Sequence, residues 1–393
     1  MLPRKDSASV QTPYYLIKKA ALDAGVNNFL QAMENCWGPR HALAYSFKTN
    51  SLPWLLRHLR ELGCIAEVVS SAEYELALKT GFKKENIVFN GPVKGKPEFL
   101  DAILSGSIVN LDSQRELCWL EEMENIPSSC RIGLRVNFSV EDACPDEIGY
   151  EDEGTRFGFS SENGALALAV ERLNALGVKI SGLHMHSTSK TRSLNVYKAL
   201  AAEAARVIPL YNLEPDYIDI GGGYFGGMPG KPSFAQYVSV IRDELGSVID
   251  PGKVMLIVEP GSAVIGAFVD FVTTVVDVKD NAKSRFVTID GSRFNVDPLM
   301  IKSRHFYRTD SEAAVFAGKQ IICGYTCMDK DRIMRIEDGA ELKVGDRLIF
   351  EKVGSYTMAL SPLFINYFPA VYLDDEQSTC VRRAWTADDY TKE

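Results

Sequence analysis

No apolar run in these 393 residues approaches the roughly 20 that a helix needs to cross a bilayer. The opening stretch, Met1–Gln11, is polar and lacks the hydrophobic segment of a secretory leader. Basic residues are in deficit: 43 Lys and Arg face 52 Asp and Glu, a net charge of −9. That argues against the basic stripe of a nucleic-acid-binding surface, while leaving room for an anion in a local pocket. A second close cysteine pair is missing. The eight cysteines are dispersed, and the lone neighbours Cys323 and Cys327 do not make a zinc site. Several of the others sit in apolar runs, where a thiol behaves as a small buried hydrophobe. No low-complexity linker interrupts the chain. These absences predict a reduced, cytoplasmic protein with no membrane segment, whose domains pack closely.

What is present is an alternation. Short β-rich apolar runs lie at Ala42–Lys48, Cys64–Ser70, Asn86–Gly91, Ser107–Asp112, Cys130–Asn137, Lys179–Ser187, Tyr217–Tyr224 and Lys253–Gly261. Helical patterns separate them, at Pro53–Leu62, Ala72–Thr80, Pro97–Ser105, Ser113–Glu124, Gly164–Leu176, Ser193–Ile208 and Ser233–Leu245. Continuous apolar runs are expected of parallel strands buried on both faces. Eight of them with helices between describe an α/β fold, a TIM-type (β/α)8 barrel. An open doubly wound sheet is the alternative, because sequence cannot show closure. After about Phe268 the pattern turns to strands punctuated by glycines and by Pro362 and Pro369. The expected organisation is an N-terminal segment 1–30 whose strand is taken with the β domain, a barrel over 31–267, and a mostly β domain over 268–393.

In such barrels the chemistry gathers at the C-terminal ends of the strands. Those ends hold Lys48, Glu67, His184 and His186, the turn Gly221-Gly222-Gly223, and Glu259-Pro260-Gly261-Ser262. Lys48 alone reads as a strand-end charge reaching solvent. Beside glycine turns that let backbone N–H groups approach an anion, it reads as a Schiff-base lysine. A glycine turn alone is more often just a tight turn. Glu259 suits a protonated pyridine nitrogen. His186 could stack on a ring, while His184 reads as a satisfied core histidine. A metal held by the two histidines and Glu259 is the competing reading, and it leaves Lys48 and the glycines unexplained.

The pieces Tyr45–Asn50, Glu67–Glu73, Arg156-Phe157-Gly158, His184–Ser189, Asp219–Gly223, Glu259–Gly261, Gly324–Cys327 and Gly354-Ser355-Tyr356 run in order along nearly the whole chain. In that order they resemble the fold-type III pyridoxal-phosphate decarboxylases, the group of diaminopimelate and ornithine decarboxylases. The nearest resemblance is to the diaminopimelate decarboxylase-like branch. It implies an alanine racemase-like fold and a pyridoxal 5'-phosphate cofactor carried on Lys48. It implies that His186 stacks on the ring and Glu259 pairs with its nitrogen. Ser189, Gly222, Gly223, Gly261 and Tyr356 would hold the phosphate, with Glu67 and Arg156 as polar neighbours. Cys327 would enter the partner subunit's site in a homodimer and return the proton that replaces carbon dioxide.

Two departures from the family pattern bear on function. Ser262 stands where the family usually has an arginine after the Glu-Pro-Gly turn, and a hydroxyl carries no charge for phosphate. Met328 stands where enzymes acting on basic amino acids place the acid that pairs with the distal ammonium. Asp297 and Asp329 are the acids that could compensate, with Arg293 nearby in sequence. The expected activity is therefore α-decarboxylation of an amino acid of unassigned side chain. The alternatives are a racemase on the same scaffold, which Glu259 argues against, and a catalytically silent homologue, which Lys48 and Cys327 argue against.

Overall fold

The structure is a computed structural model and describes residues 10–148, 153–226, 228 and 230–392. Gly25–Val264 forms one compact unit, and the residues before and after it form a second. Strand β1 (Tyr14–Ile17) belongs to the second unit. The next nine belong to the first: β2 (His41–Ser46), β3 (Ile65–Val68), β4 (Ile87–Phe89), β5 (Ile108–Leu111), β6 (Arg131–Asn137), β7 (Phe159–Ser160), β8 (Ile180–His184), β9 (Tyr217–Asp219) and β10 (Met255–Val258). Strand β5 pairs with β6 and β10 pairs with β2, so eight parallel strands close into a ring, with β7 attached to β6. Closure decides for the barrel over the open sheet. Each apolar run holds one barrel strand, and each expected helix is present with its ends within three residues of the expected ones. Ser70 caps the helix Ser71–Lys79 through the Glu73 N–H, and Ser233 caps Phe234–Leu245 in a capping box with Gln236. Among the described residues no helix is long and apolar enough to cross a membrane.

The barrel interior is filled, not hollow. Ala44, Val88, Ile108, Tyr217 and Ile257 form one buried cluster. Tyr217 is the largest of them and fits because two of its neighbours have no side chain. A Cβ on Gly133 would collide with the Tyr217 hydroxyl, and one on Gly182 with its ring. The hydroxyl donates to Asn110 Oδ1 at 2.7 Å, so the ring meets apolar walls and its polar tip is satisfied.

The second unit is a nine-stranded sheet. Its strands are β1, β11 (Val269–Asp280), β12 (Arg285–Ile289), β13 (Phe306–Thr309), β14 (Lys319–Cys323), β15 (Arg332–Glu337), β16 (Arg347–Glu351), β17 (Ala370–Leu373) and β18 (Cys380–Arg382). The 12-residue β11 pairs with β1, β12 and β16. Tyr14, Leu16, Val272, Ile349 and Ala370 pack as one of its cores. Strands β13, β15 and β18 and the helix Lys19–Cys36 were not anticipated. In β15 the apolar run is broken by Arg335, and only Ile333, Met334 and Ile336 turn inward.

Gly182→Ala is expected to destabilise the barrel by about 1–3 kcal/mol, the usual cost of overpacking a filled core. Denaturant midpoints at an unchanged m-value measure it. A midpoint equal to that of the parent would mean that Tyr217 is not held where the glycines place it.

Candidate active site

The chemistry-bearing side chains converge from separate strand ends. Lys48 lies just past β2, in a one-turn 3-10 helix, Phe47–Thr49. Its ammonium donates to Glu67 Oε2 at 3.0 Å, and the Ser46 hydroxyl donates to the same oxygen at 2.6 Å. The Lys48 side chain is 43% exposed and that of Glu67 1%. The amine is thus open to an incoming aldehyde while its carboxylate partner is shut off from water. Glu67 Oε1 accepts from Asn90 Nδ2 at 3.2 Å, and the same amide donates to Glu259 Oε1. Asn90 Oδ1 accepts in turn from Asn110 Nδ2 at 2.8 Å. A polar column therefore runs from Tyr217 through Asn110 and Asn90 to both glutamates and Lys48.

Glu259 and Asp219 are buried carboxyls that share one proton. Burial first, then the Glu259 charge and the hydrogen bond between the two, pushes Asp219 well above the usual carboxylate range. Burial also acts to raise Glu259, but His184, the hydrogen bond from Asp219 and the Lys48 charge outweigh it and hold Glu259 well below that range. The proton sits on Asp219, and Glu259 is the anion. His184 is buried with neither ring nitrogen hydrogen-bonded, and its Nε2 is 3.4 Å from Glu259 Oε2. That corrects its reading as a satisfied core histidine. His184, Asp219 and Glu259 offer atoms within 4.8 Å of one another, close enough to share a proton or a cation.

His186 is half-buried, its ring parallel to that of His184 with centroids 6.3 Å apart. Its Nδ1 accepts the Gly222 N–H at 3.3 Å, which places any ring proton on Nε2. Burial, then the Arg135 charge, lowers its pKa to about 3 against the opposing pull of Glu259. The ring is therefore neutral at ordinary pH, a flat surface and not a cation. Gly221 (φ +68°) and Gly223 (φ +94°) occupy the left-handed region, and a Cβ on Gly221 would meet His186 Nδ1 at 2.5 Å. Gly261 lets the chain approach Thr49, whose buried hydroxyl has no partner. Ser189 Oγ accepts the Thr191 and Arg192 N–H groups at 3.2 and 2.8 Å. Ser262, half-buried, opens the four-residue helix Ser262–Ile265.

Arg156 is exposed and lies over Phe157 at 4.8 Å. Arg135, on β6, is buried; it donates to Asp112 at 2.8 Å and lies over the same Phe157 ring at 4.4 Å. Asn90, Asn110, Asp219 and Arg135 had been given no role from sequence. A usable signal existed for two of them: Asn110 and Arg135 interrupt apolar barrel strands.

The remaining candidates lie in the second unit. Cys327 is exposed on the loop between β14 and β15. Buried Asp331 pins that loop, accepting the N–H groups of Thr326 and Arg293 at 3.1 and 2.7 Å. Asp297 is buried and engaged by Arg293 through Nε at 3.2 Å and Nη2 at 2.9 Å, so it is not a spare acid. Asp329 is exposed beside a pocket it shares with Arg293, Met300, Lys330 and Arg332. Met328 is half-buried, and Tyr356 is 38% exposed with φ +57°.

Residues 23–266 match the family model described as the pyridoxal binding domain of pyridoxal-dependent decarboxylases. The chain belongs to this family. Among relatives, this decarboxylase is 27% identical to a probable chloroplastic diaminopimelate decarboxylase of Oryza sativa subsp. japonica, over 98% of this chain and 80% of the relative. It is 28% identical to the diaminopimelate decarboxylase of Aquifex aeolicus, over 82% and 78%. A crystal structure of the Helicobacter pylori diaminopimelate decarboxylase with L-lysine superposes with TM-score 0.82 at 21% identity, covering 98% of this chain and 97% of the other. The Paramecium bursaria Chlorella virus arginine decarboxylase superposes with TM-score 0.78 at 19% identity, over 94% and 97%. These two structural likenesses speak to the fold. The decarboxylase is thus a pyridoxal-phosphate-dependent enzyme acting on amino acids, and the racemase reading is not favoured.

The barrel residues fit that cofactor. The exposed Lys48 amine, the Glu259 anion, a neutral ring on His186 and a glycine turn complement an aldehyde, a protonated pyridine, an aromatic face and a phosphate. The unpartnered ring nitrogens of His184 and the buried hydroxyls of Thr49 and Ser187 mark where further polar groups are wanted.

The neutral state of His186 makes a pH signature. An unfolded histidine takes up a proton below about pH 6.5, but the folded ring does so only near 3. Stability is thus full above 6.5 and drains as pH falls toward 3. Lowering the pH from about 7.5 to about 5.5 is expected to cost the cofactor-free parent about 1 kcal/mol more than His186→Phe. Equal losses in the two proteins would refute a His186 held neutral by its surroundings.

Proposed function

We propose that Lys48 carries the cofactor and that Glu259, His186 and the glycine turn hold it for decarboxylation at the α carbon of an amino acid. The contact of the exposed Lys48 amine with buried Glu67 carries this reading, because it pairs an accessible nucleophile with an adjacent proton acceptor. Pyridoxal phosphate supplies an electron sink for the pair of electrons left when carbon dioxide departs. Glu67 holds and orients the Lys48 proton. Glu259, kept anionic by His184, Asp219 and Lys48, favours a protonated partner at the ring nitrogen. Asn90 fixes both carboxylates with one amide. Gly223, in the left-handed region, would offer its backbone N–H to a phosphate beside the Ser189 hydroxyl, while the Gly222 N–H is held by His186. Cys327 is proposed to donate a proton in the partner subunit's site, which makes the homodimer the working unit. Its exposure on a loop pinned by Asp331 supports that role. Eight free cysteines are consistent with a reducing compartment, proposed as the cytoplasm.

The substrate is proposed not to be a basic amino acid. Met328 brings no charge, Asp297 is neutralised by Arg293, and Asp329 shares its pocket with three cations. A panel of amino acids assayed for both carbon dioxide release and loss of chirality tests the reaction and the substrate class together. Preferred turnover of diaminopimelate, ornithine or lysine would overturn the substrate reading.

Lys48→Ala should abolish the visible absorption of the lysine-bound cofactor, and an unchanged spectrum would move the linkage elsewhere. Glu259→Ala should lower decarboxylation on the order of a hundredfold, the scale of losing one aimed electrostatic group, while retaining most of the cofactor. Equal loss of both would make Glu259 structural. Lys48→Ala and Cys327→Ala dimers, once shown to exchange subunits, should complement. With random exchange about a quarter of sites carry neither lesion, by two-fold symmetry. If mixing restores nothing, the two residues do not act across subunits.

A further inference from the structure

The turn that replaces the arginine after Glu-Pro-Gly leaves a phosphate short of one positive charge, since Ser262 is neutral. A different cation reaches the residues that follow the glycine turn. Arg192 lies in the loop after β8, and its backbone has φ +52°, a conformation that costs an L-residue with a Cβ. Two hydrogen bonds hold it there. The Arg192 N–H donates to Ser189 Oγ at 2.8 Å, and the buried Tyr237 hydroxyl donates to the Arg192 carbonyl at 2.6 Å. A strained residue fixed from both sides is the pattern of a side chain that must be aimed.

The side chain is held against the residues just past the glycine turn. Arg192 Nη1 donates to the carbonyl of Tyr224 at 3.4 Å, one residue past Gly223, and the guanidinium lies over the Phe225 ring at 5.4 Å. The same turn is braced from beneath. Tyr197 donates to the Gly222 carbonyl at 2.9 Å, and its ring stacks on Tyr224 at 4.6 Å and meets Tyr237 at 4.7 Å. Three buried tyrosines thus tie Arg192, Ser189 and the glycine turn into one rigid piece. Among the described residues the Arg192 charge meets a carbonyl and a ring face, and no carboxylate pairs with it.

We propose that Arg192 supplies the positive charge for the cofactor's phosphate that Ser262 cannot. This rests on the proposed placement of the phosphate at Ser189 and Gly223. It makes Arg192 a cofactor-selecting residue, one that distinguishes pyridoxal phosphate from pyridoxal.

The test uses the full chain stripped of cofactor and titrated separately with pyridoxal phosphate and with pyridoxal. Arg192→Asn is the first variant, because asparagine tolerates the left-handed backbone. Its affinity for pyridoxal phosphate should fall about tenfold or more, the scale of one lost charge-assisted contact, while its affinity for pyridoxal changes by less than about twofold. Adding Ser262→Arg to that variant should restore the preference. In the parent background Ser262→Arg should gain little, because the charge is already supplied, and this arm stands even if Arg192→Asn does not fold. Equal losses for the two ligands would make Arg192 a structural residue and overturn the proposal. So would an unchanged affinity, or a gain of about tenfold or more from Ser262→Arg alone. A parent protein that binds neither ligand through Lys48 would bring down the proposed function as well, whereas the other outcomes leave it standing.

Discussion

Three carboxyl groups buried at one end of a barrel cannot all be ionised, and the way this one accommodates Glu67, Asp219 and Glu259 fixes the rest of the site. A buried carboxylate without compensation is among the most costly features a protein can carry. Here each is answered differently. Glu67 meets an ammonium, a hydroxyl and an amide. Asp219 keeps its proton. Glu259 remains an anion because its neighbours favour that form. Asn90 is the hinge of the arrangement, since its single NH2 group reaches both glutamates and its carbonyl is occupied by Asn110. An aspartate at that position would add a fourth acid to a site already at its limit.

A second buried ionic set stands beside the first. Lys94, without solvent exposure, donates to Glu116 at 2.9 Å and to the carbonyls of Gly91 and Asn110. Glu116 accepts the backbone N–H of Asp112, and Asp112 binds Arg135. This relay positions Arg135 as a fixed positive charge near His186, and that charge helps keep the imidazole neutral. The site therefore separates its charges. Carboxylates gather at Glu67 and Glu259, the Arg135 charge acts on His186, and the imidazole stays uncharged.

Much of this was legible before any coordinates. Parallel strands buried on both faces write themselves as apolar runs, so all eight barrel strands could be placed, and the C-terminal-end rule then drew Lys48, Glu67, His186 and Glu259 together. What escaped were residues whose type is unremarkable in a loop or strand. Asn90 and Asn110 look like turn residues until their amides are seen bridging acids. Arg156 sits in a recognisable Arg-Phe-Gly triplet, yet it is Arg135 on β6 that is buried. A motif gives proximity in sequence, and strand parity decides which side chain turns inward. Asp297 looked like a free acid because sequence does not reveal that Arg293, one helical turn earlier, already neutralises it.

The ring of Tyr217, seated where Gly133 and Gly182 make room for it, closes the barrel below the polar column. Its hydroxyl is also the donor that satisfies Asn110 Oδ1. Shortening that one side chain would therefore do two kinds of damage at once, a void against two bare glycines and an acceptor stranded in a packed interior.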